Sequence, residues 1–209
     1  MIIAIDGPAS SGKGTISRLL GQKLGFSVLD TGLLYRLFAY KLLEKKIDPH
    51  EKAKVSSFLN DFHLNLSDLT IPALKENSVA QVASIVSQYP FVRENFLEFQ
   101  RNFAKHPSFP YKGTILDGRD IGTVILPDAD LKLFITADVK VRAQRRWKEL
   151  QERGIMCMLD DILSDLKERD DRDMKRAYAP LKPALDAHVI DTSTLSPQEV
   201  VDKVMDFIK

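Results

Sequence analysis

The chain has 209 residues, with 30 Lys and Arg against 29 Asp and Glu and a formal charge of +1. That length suits one α/β domain with an inserted piece, and the near-zero charge argues against a general nucleic-acid binder or a membrane-surface protein. A single cysteine, Cys157, excludes an internal disulfide framework. No run approaches the ~20 apolar residues of a membrane span, and no basic stretch precedes the short apolar start, so a cytoplasmic protein is expected.

Met1 to Ile5 reads as a buried strand, and Ile16, Leu19, Leu20 and Leu24 recur at helical spacing. Between them lies Gly7-Pro8-Ala9-Ser10-Ser11-Gly12-Lys13-Gly14-Thr15. Strand, glycine-rich turn and helix are the context a phosphate-binding loop requires. The glycines let successive amide N–H groups point inward, and the helix N-terminus adds partial positive charge. Lys13 can then reach the outer phosphates of a nucleotide. Gly14 separates Gly12-Lys13 from the hydroxyl of Thr15, the variant found in small-molecule and nucleoside monophosphate kinases.

Phe26 to Leu29 reads as a second strand, followed by Asp30-Thr31-Gly32 and a helix to about Lys46. Arg36 sits one turn into that helix, near the carboxyl edge of the sheet, where open α/β folds bind ligands and a guanidinium fork can grip a phosphate. From Asp48 to Tyr89 the pattern predicts a short helix over Glu51 to Phe62, a strand over Phe62 to Leu66 and a helix over Asn77 to Gln88. Phe91, Phe96, Phe99 and Phe103 then make one face of an amphipathic helix, flanked by Arg93 and Arg101.

Thr114 to Asp117 is the third predicted strand and runs into Gly118-Arg119-Asp120-Ile121-Gly122-Thr123. An acidic residue ending an apolar strand beside a phosphate loop can orient water on Mg²⁺; Asp117 and Thr15 fit that part. Leu131 to Ile135 is the fourth strand. A basic helix follows, Val139 to Arg153, carrying Arg142, Arg145, Arg146 and Lys148, with Arg142 and Arg146 on one face and Trp147 toward the core. The next helix, from Leu159, ends in a charge run in which Arg169, Asp173 and Arg176 fall on one face if the helix continues. Ala179 to Pro183 reads as an extended link and His188 to Asp191 as the fifth strand. Ser196-Pro197-Gln198-Glu199 is a capping box opening the last helix. The four His residues show no metal spacing.

The chain resembles the bacterial cytidylate kinase family over nearly its whole length. The resemblance is carried by Gly7–Thr15, Leu29–Arg36, Asp117–Thr123 with Pro127-Asp128-Ala129-Asp130, and Glu168–Arg176 with Ala179-Pro180-Leu181. It implies a P-loop NTPase-type, three-layer α/β fold with a five-stranded parallel sheet, an inserted substrate-binding subdomain and a helical lid. Residues 1–47, 89–138 and 177–209 would form the core, 48–88 the CMP-side insertion, and 139–176 the lid with its flanking helices.

The implied activity is phosphoryl transfer from ATP to CMP or dCMP with Mg²⁺, by a monomer with no nucleic-acid or membrane partner. By resemblance, Lys13, Arg119 and Arg176 are catalytic, while Gly7 to Thr15 with the lid residues Arg142 and Arg146 hold ATP. Arg36, Arg119 and Arg176 are placed around the CMP phosphate, and Thr31 belongs to the CMP-binding set. Ser84, Arg93 and Asp120 read cytosine, Asp120 accepting from the N4 amine, and Arg169 and Asp173 meet the sugar. The insertion is short beside many relatives, Lys75 stands where the family usually has Arg, and Thr31 replaces a Ser. Two rival readings are another acceptor, such as UMP, AMP or shikimate, and a nucleotide-dependent switch. The chain has no Asn-Lys-x-Asp guanine-reading motif, which argues against the switch.

Overall fold

A computed structural model of the chain describes residues 1–208. Five strands, β1 (Ile2–Asp6), β2 (Ser27–Asp30), β3 (Thr114–Gly118), β4 (Leu131–Thr136) and β5 (His188–Asp191), form one sheet in the order β2-β3-β1-β4-β5. Every pairing is parallel. The chain leaves β1 for one side of the sheet and, after β3, crosses to the other side. The carboxyl end of β1 is therefore the point where the strand order reverses, and open α/β sheets carry their ligand crevice there. Register brings Asp6 beside Gly118 and Asp30 beside Asp117 at that edge.

Period-two alternation assigns the two faces of the sheet. Ile3, Ile5, Ile115 and Leu133 turn toward α1 (Lys13–Leu24) and α8 (Pro197–Ile208), where they meet Ile16, Leu20, Val200 and Val204. Ala4, Leu29 and Leu116 turn the other way, against Ala104 of α5 (Pro90–Lys105) and against Ile121 and Ile125. The result is a helix–sheet–helix sandwich with the core strands buried on both faces. The capping box forms as read: Ser196 Oγ accepts from the Glu199 amide while Glu199 Oε2 accepts from the Ser196 amide.

A second apolar cluster lies off the sheet. It joins α2 (Gly32–Glu44), α3 (Lys52–Asn60), α4 (Asn77–Val86) and the start of α5 through Phe38, Val55, Val86 and Phe96. Phe38, Phe62 and Phe96 meet edge to face within 6.4 Å of one another. The strand expected over Phe62 to Leu66 does not form. Phe62 and Leu64 pack into this cluster, but the Asn65 side chain accepts from the Ser67 amide and starts a 3-10 turn, Leu66–Thr70, which a second turn, Pro72–Lys75, follows. Local side-chain capping outcompetes a strand with no neighbour to pair with.

A third cluster joins α6 (Val139–Glu152) to α7 (Leu159–Lys175) through Ala143, Leu150, Ile162 and Leu166, with Ala9 of the phosphate loop among them. Trp147 packs here, donating Nε1–H to the Cys157 carbonyl at 3.2 Å, and not against the sheet core. The link after α7 is not simply extended. Ala179 takes a left-handed φ of 51°, and the Leu181 amide donates back to the Asp173 carbonyl.

Candidate active site

Gly7, Ser10 and Gly12 all have positive φ, which curls the loop between β1 and α1. A Cβ on Gly7 would lie 2.0 Å from the Ile135 carbonyl oxygen, so no other residue fits there. Lys13 is buried and donates to the Pro8 carbonyl at 2.9 Å, which folds its ammonium over the loop. Burial pushes the Lys13 ammonium down, helped by the positive charge of Arg119, while Asp117 and Asp30 oppose the shift. Asp117 is driven the other way, upward, first by burial and then by the charge of Asp30.

The loop opens onto a cavity of about 810 Å³ that also takes in Thr15, Asp30, Arg36, Asp117, Arg119 and Arg146. Several guanidiniums gather at its inner end, Arg36, Arg119 and Arg169. Arg169 is pulled down to about 9 by burial and by the neighbouring Arg119, with Arg36 and Arg172 adding to the shift. Its Nε has no protein partner. Asp173 offsets part of this repulsion, and the like charges of the neighbouring guanidiniums still favour an anion there. Arg36 donates to the Leu74 carbonyl at 2.7 Å, which aims it from α2 toward the cavity wall.

A smaller recess, of about 50 Å³, lies beyond Arg119 and is walled by Thr31, Ser84, Arg93, Asp120, Asp173 and Arg176 among others. Arg93 Nη2 and Asp120 Oδ1 meet at 2.5 Å with both side chains buried, and Arg93 also donates to the Ser87 carbonyl. Tyr35 backs the pair, its ring centroid 5.3 Å from the Arg93 guanidinium carbon. Arg119 donates Nε–H to Asp173 Oδ2 at 3.0 Å. Burial works to raise the Asp173 carboxyl, but Arg119, Arg169 and Arg176 outweigh it and hold it below the ordinary carboxylate range. Arg176 falls just past the end of α7, so it leaves the helical face shared by Arg169 and Asp173. Its Nε–H donates to the Ala179 carbonyl at 2.6 Å, and its Nη2 sits 3.7 Å from Asp120. Ser84 Oγ, Asp120 Oδ2 and Arg176 Nη2 are buried with no protein partner. Thr31 Oγ1 donates to the Asp117 carbonyl, which ties the start of α2 to the end of β3.

Arg142 departs from expectation. It is 5 % exposed and its guanidinium is fully engaged, with Nε to the Ala137 carbonyl, Nη1 to the Ala9 carbonyl and Nη2 to Asp170. Sitting in the first turn of α6, it reaches back across the helix base instead of sharing an open face with Arg146. The residue that sequence reading passed over is Arg145. It bridges the Ser11 carbonyl to Thr192, and both line a further cavity of about 440 Å³ that opens beside the phosphate loop. Its position three residues after Arg142 gave no sign of this, because Thr192 comes from the far end of the chain.

A parallel sheet with a glycine-rich loop at its switch point and two compartments beyond it is the build of a P-loop kinase. The cytidylate kinase family model matches residues 3–209. A cytidylate kinase from Paramagnetospirillum magneticum is 50 % identical, over 95 % of this chain and 92 % of that protein. One from Bordetella bronchiseptica is 43 % identical, over 99 % and 94 %. Among solved structures, a shikimate kinase from Bacteroides thetaiotaomicron superposes with a TM-score of 0.51 at 10 % identity, over 100 % of this chain and 98 % of that one, a likeness of fold alone. The chain belongs to the cytidylate kinase family. It is a nucleotide kinase.

Proposed function

We propose that the protein transfers the γ-phosphoryl group of ATP to CMP or dCMP, with the large cavity as the donor and phosphate compartment and the small recess as the cytosine pocket. One observation carries the choice of acceptor: Ser84 Oγ, Asp120 Oδ2 and Arg176 Nη2 stand buried without a hydrogen-bond partner around the same recess. Unpaired buried polar atoms cost about 1–3 kcal/mol each, so a fold that keeps three of them keeps them for a ligand. A carboxylate oxygen faces the N4 amine of cytosine well and the O4 of uracil badly, while a hydroxyl and a guanidinium can donate to N3 and O2.

In this reading the off-sheet cluster, about 48–88 with α2, is the acceptor-side subdomain, and 139–176 is the lid. Lys13 and the loop amides hold the donor phosphates. Arg36 and Arg119 surround the acceptor phosphate, joined by Arg169 in place of Arg176, which the resemblance put there but which lies past the end of α7 beside Asp120. An oxygen of that phosphate attacks the γ-phosphorus, and the bond from γ-phosphorus to the bridging oxygen breaks, releasing ADP. The charge that builds on the transferred oxygens meets guanidiniums already in place, which is the main source of rate in such sites. Asp173 stays ionised and keeps Arg119 pointed inward.

Asp30 and Asp117, two carboxylates at adjacent strand ends that line the same cavity as Thr15, suit a divalent cation. Burial and then the charge of Asp30 raise Asp117, and such an ion would relieve both. Mg²⁺ held there through water would screen the donor phosphates. Among the described residues no helix is long and apolar enough to cross a membrane, and Cys157 is free; we place the enzyme in the cytoplasm as a monomer.

The test is ATP consumption with Mg²⁺ and CMP, dCMP, UMP, AMP, shikimate or no acceptor. Stimulation by CMP and dCMP above all others is expected. Equal stimulation by UMP would overturn the assignment of the recess, and turnover without any acceptor would favour a switch.

A further inference from the structure

Asp6 is buried at 4 % exposure and lies outside both compartments. It is the last residue of β1, directly before Gly7 of the phosphate loop. Its two carboxylate oxygens each accept from a backbone amide on another segment, Oδ1 from Ile121 at 2.7 Å and Oδ2 from Gly122 at 2.8 Å. Those two residues open a single π-turn, Ile121–Ile125, that follows Arg119 and Asp120 immediately. Gly122 passes so close that a Cβ there would lie 3.5 Å from Asp6 Oδ2 and 3.2 Å from Lys132.

A buried carboxylate is costly, and one that meets amides alone, with no paired cation in hydrogen-bond reach, is costlier still. Asp6 carries that cost: burial raises its carboxyl to about 6 in spite of the two amide bonds. A hydrophobic residue would serve the core better. What the carboxylate supplies is fixed geometry, because two charge-assisted bonds to consecutive amides leave the turn no freedom to slide or rotate. β3 ends at Gly118, so this grip sets where the next residues, Arg119 and Asp120, point.

We propose that Asp6 is a positioning residue for acceptor recognition: by clamping the Ile121 and Gly122 amides to the strand that carries the phosphate loop, it holds Arg119 and Asp120 at a fixed distance from the donor site. The inference rests on the acceptor reading above. Turnover of the wild-type protein with CMP tests that reading, and the behaviour of variants relative to wild type tests Asp6.

Asp6→Asn keeps the shape but can accept from only one of the two amides, its own amide group opposing the other. The variant should fold, with unchanged far-UV circular dichroism. Its KM for CMP should rise about tenfold or more and its preference for CMP over UMP should shrink, since misplacement of a binding group by an ångström costs up to about 10²-fold. KM for ATP should stay within about twofold. In wild-type protein the Ile121 and Gly122 amides should exchange slowly with deuterium, and in Asp6→Asn at least one should exchange faster. Asp6→Ser, which is smaller and keeps one acceptor, serves if the Asn variant does not fold and should show the same split. A folded variant with wild-type KM for CMP, or one in which both KM values rise equally, overturns the proposal, as does fast exchange of both amides in the wild type.

Discussion

Arg93 and Asp120 form a buried ion pair at 2.5 Å that uses only one of the two Asp120 oxygens. The other, Oδ2, is buried without a partner. The pair thus holds the carboxylate oriented while leaving an acceptor for a ligand amine. Asp120→Asn would present an amide there in place of a charge. It should lower kcat/KM for CMP by about 10–100-fold, matching the ~1–3 kcal/mol of one specific base contact, and should change kcat/KM for UMP far less. The ratio of the two, from initial rates, is the measurement.

Arg119 touches Asp173 and the Gly118 carbonyl and also faces the cavity. Lys can reach either partner but not both in one plane. Arg119→Lys is expected to keep the fold and to lower kcat by about 10²-fold, the scale for losing one preorganised donor to the transition state. Single-turnover rates at saturating substrate separate this from weaker binding.

Arg142 and Asp170 meet at 2.6 Å with little exposure on either side. Removing Arg142 alone leaves Asp170 and the Ala9 and Ala137 carbonyls short of a donor. Arg142→Met should therefore cost about 3–5 kcal/mol of stability, read as a lower urea midpoint. The double variant Arg142→Met with Asp170→Leu should recover part of the loss, since the stranded charge goes with it. It should not recover the order of the phosphate loop, so KM for ATP should stay raised.

Asp6 also makes a prediction about pH. Its folded value is raised to about 6 from 3.8, so between those values the folded state holds a proton that the unfolded chain has released. Stability should accordingly fall as pH rises through that window, by about 3 kcal/mol at most, and level off above it. Asp6→Asn lacks this contribution. Urea midpoints from pH 4 to 7 should converge or cross for the two proteins, wild type losing ground as pH rises.

The sheet was readable because its strands are short, apolar and bounded by turn residues, and the phosphate loop because local chemistry alone defines it. All five strands expected in the core form, as does the Ser196 cap. What sequence order hid was anything decided by distant partners. Arg142 looked like a free cation of a basic helix until the Ala9 carbonyl and Asp170 closed on it. Arg145 gained its meaning only from Thr192, 47 residues away. Asp6 lay unread between the expected strand and the phosphate loop, and the amides it holds lie 115 and 116 residues further on. The strand expected at Phe62 to Leu66 shows the converse: among the described residues no strand lies beside it, and Asn65 gave the backbone a local alternative.

Polar contacts join the walls of the cleft near its mouth. Asn77 donates to Asp165 at 3.0 Å, Arg172 to Gln81 at 2.6 Å, and Arg146 and Arg153 reach the Lys75 carbonyl at 3.5 and 3.4 Å. Each wall has an apolar core of its own, and neither core extends across the gap. Parting the walls would therefore trade a few surface hydrogen bonds for equivalent bonds to water, an exchange near balance at about 1 kcal/mol per bond or less. The molecule is fastened at this seam the way a coat is buttoned rather than sewn.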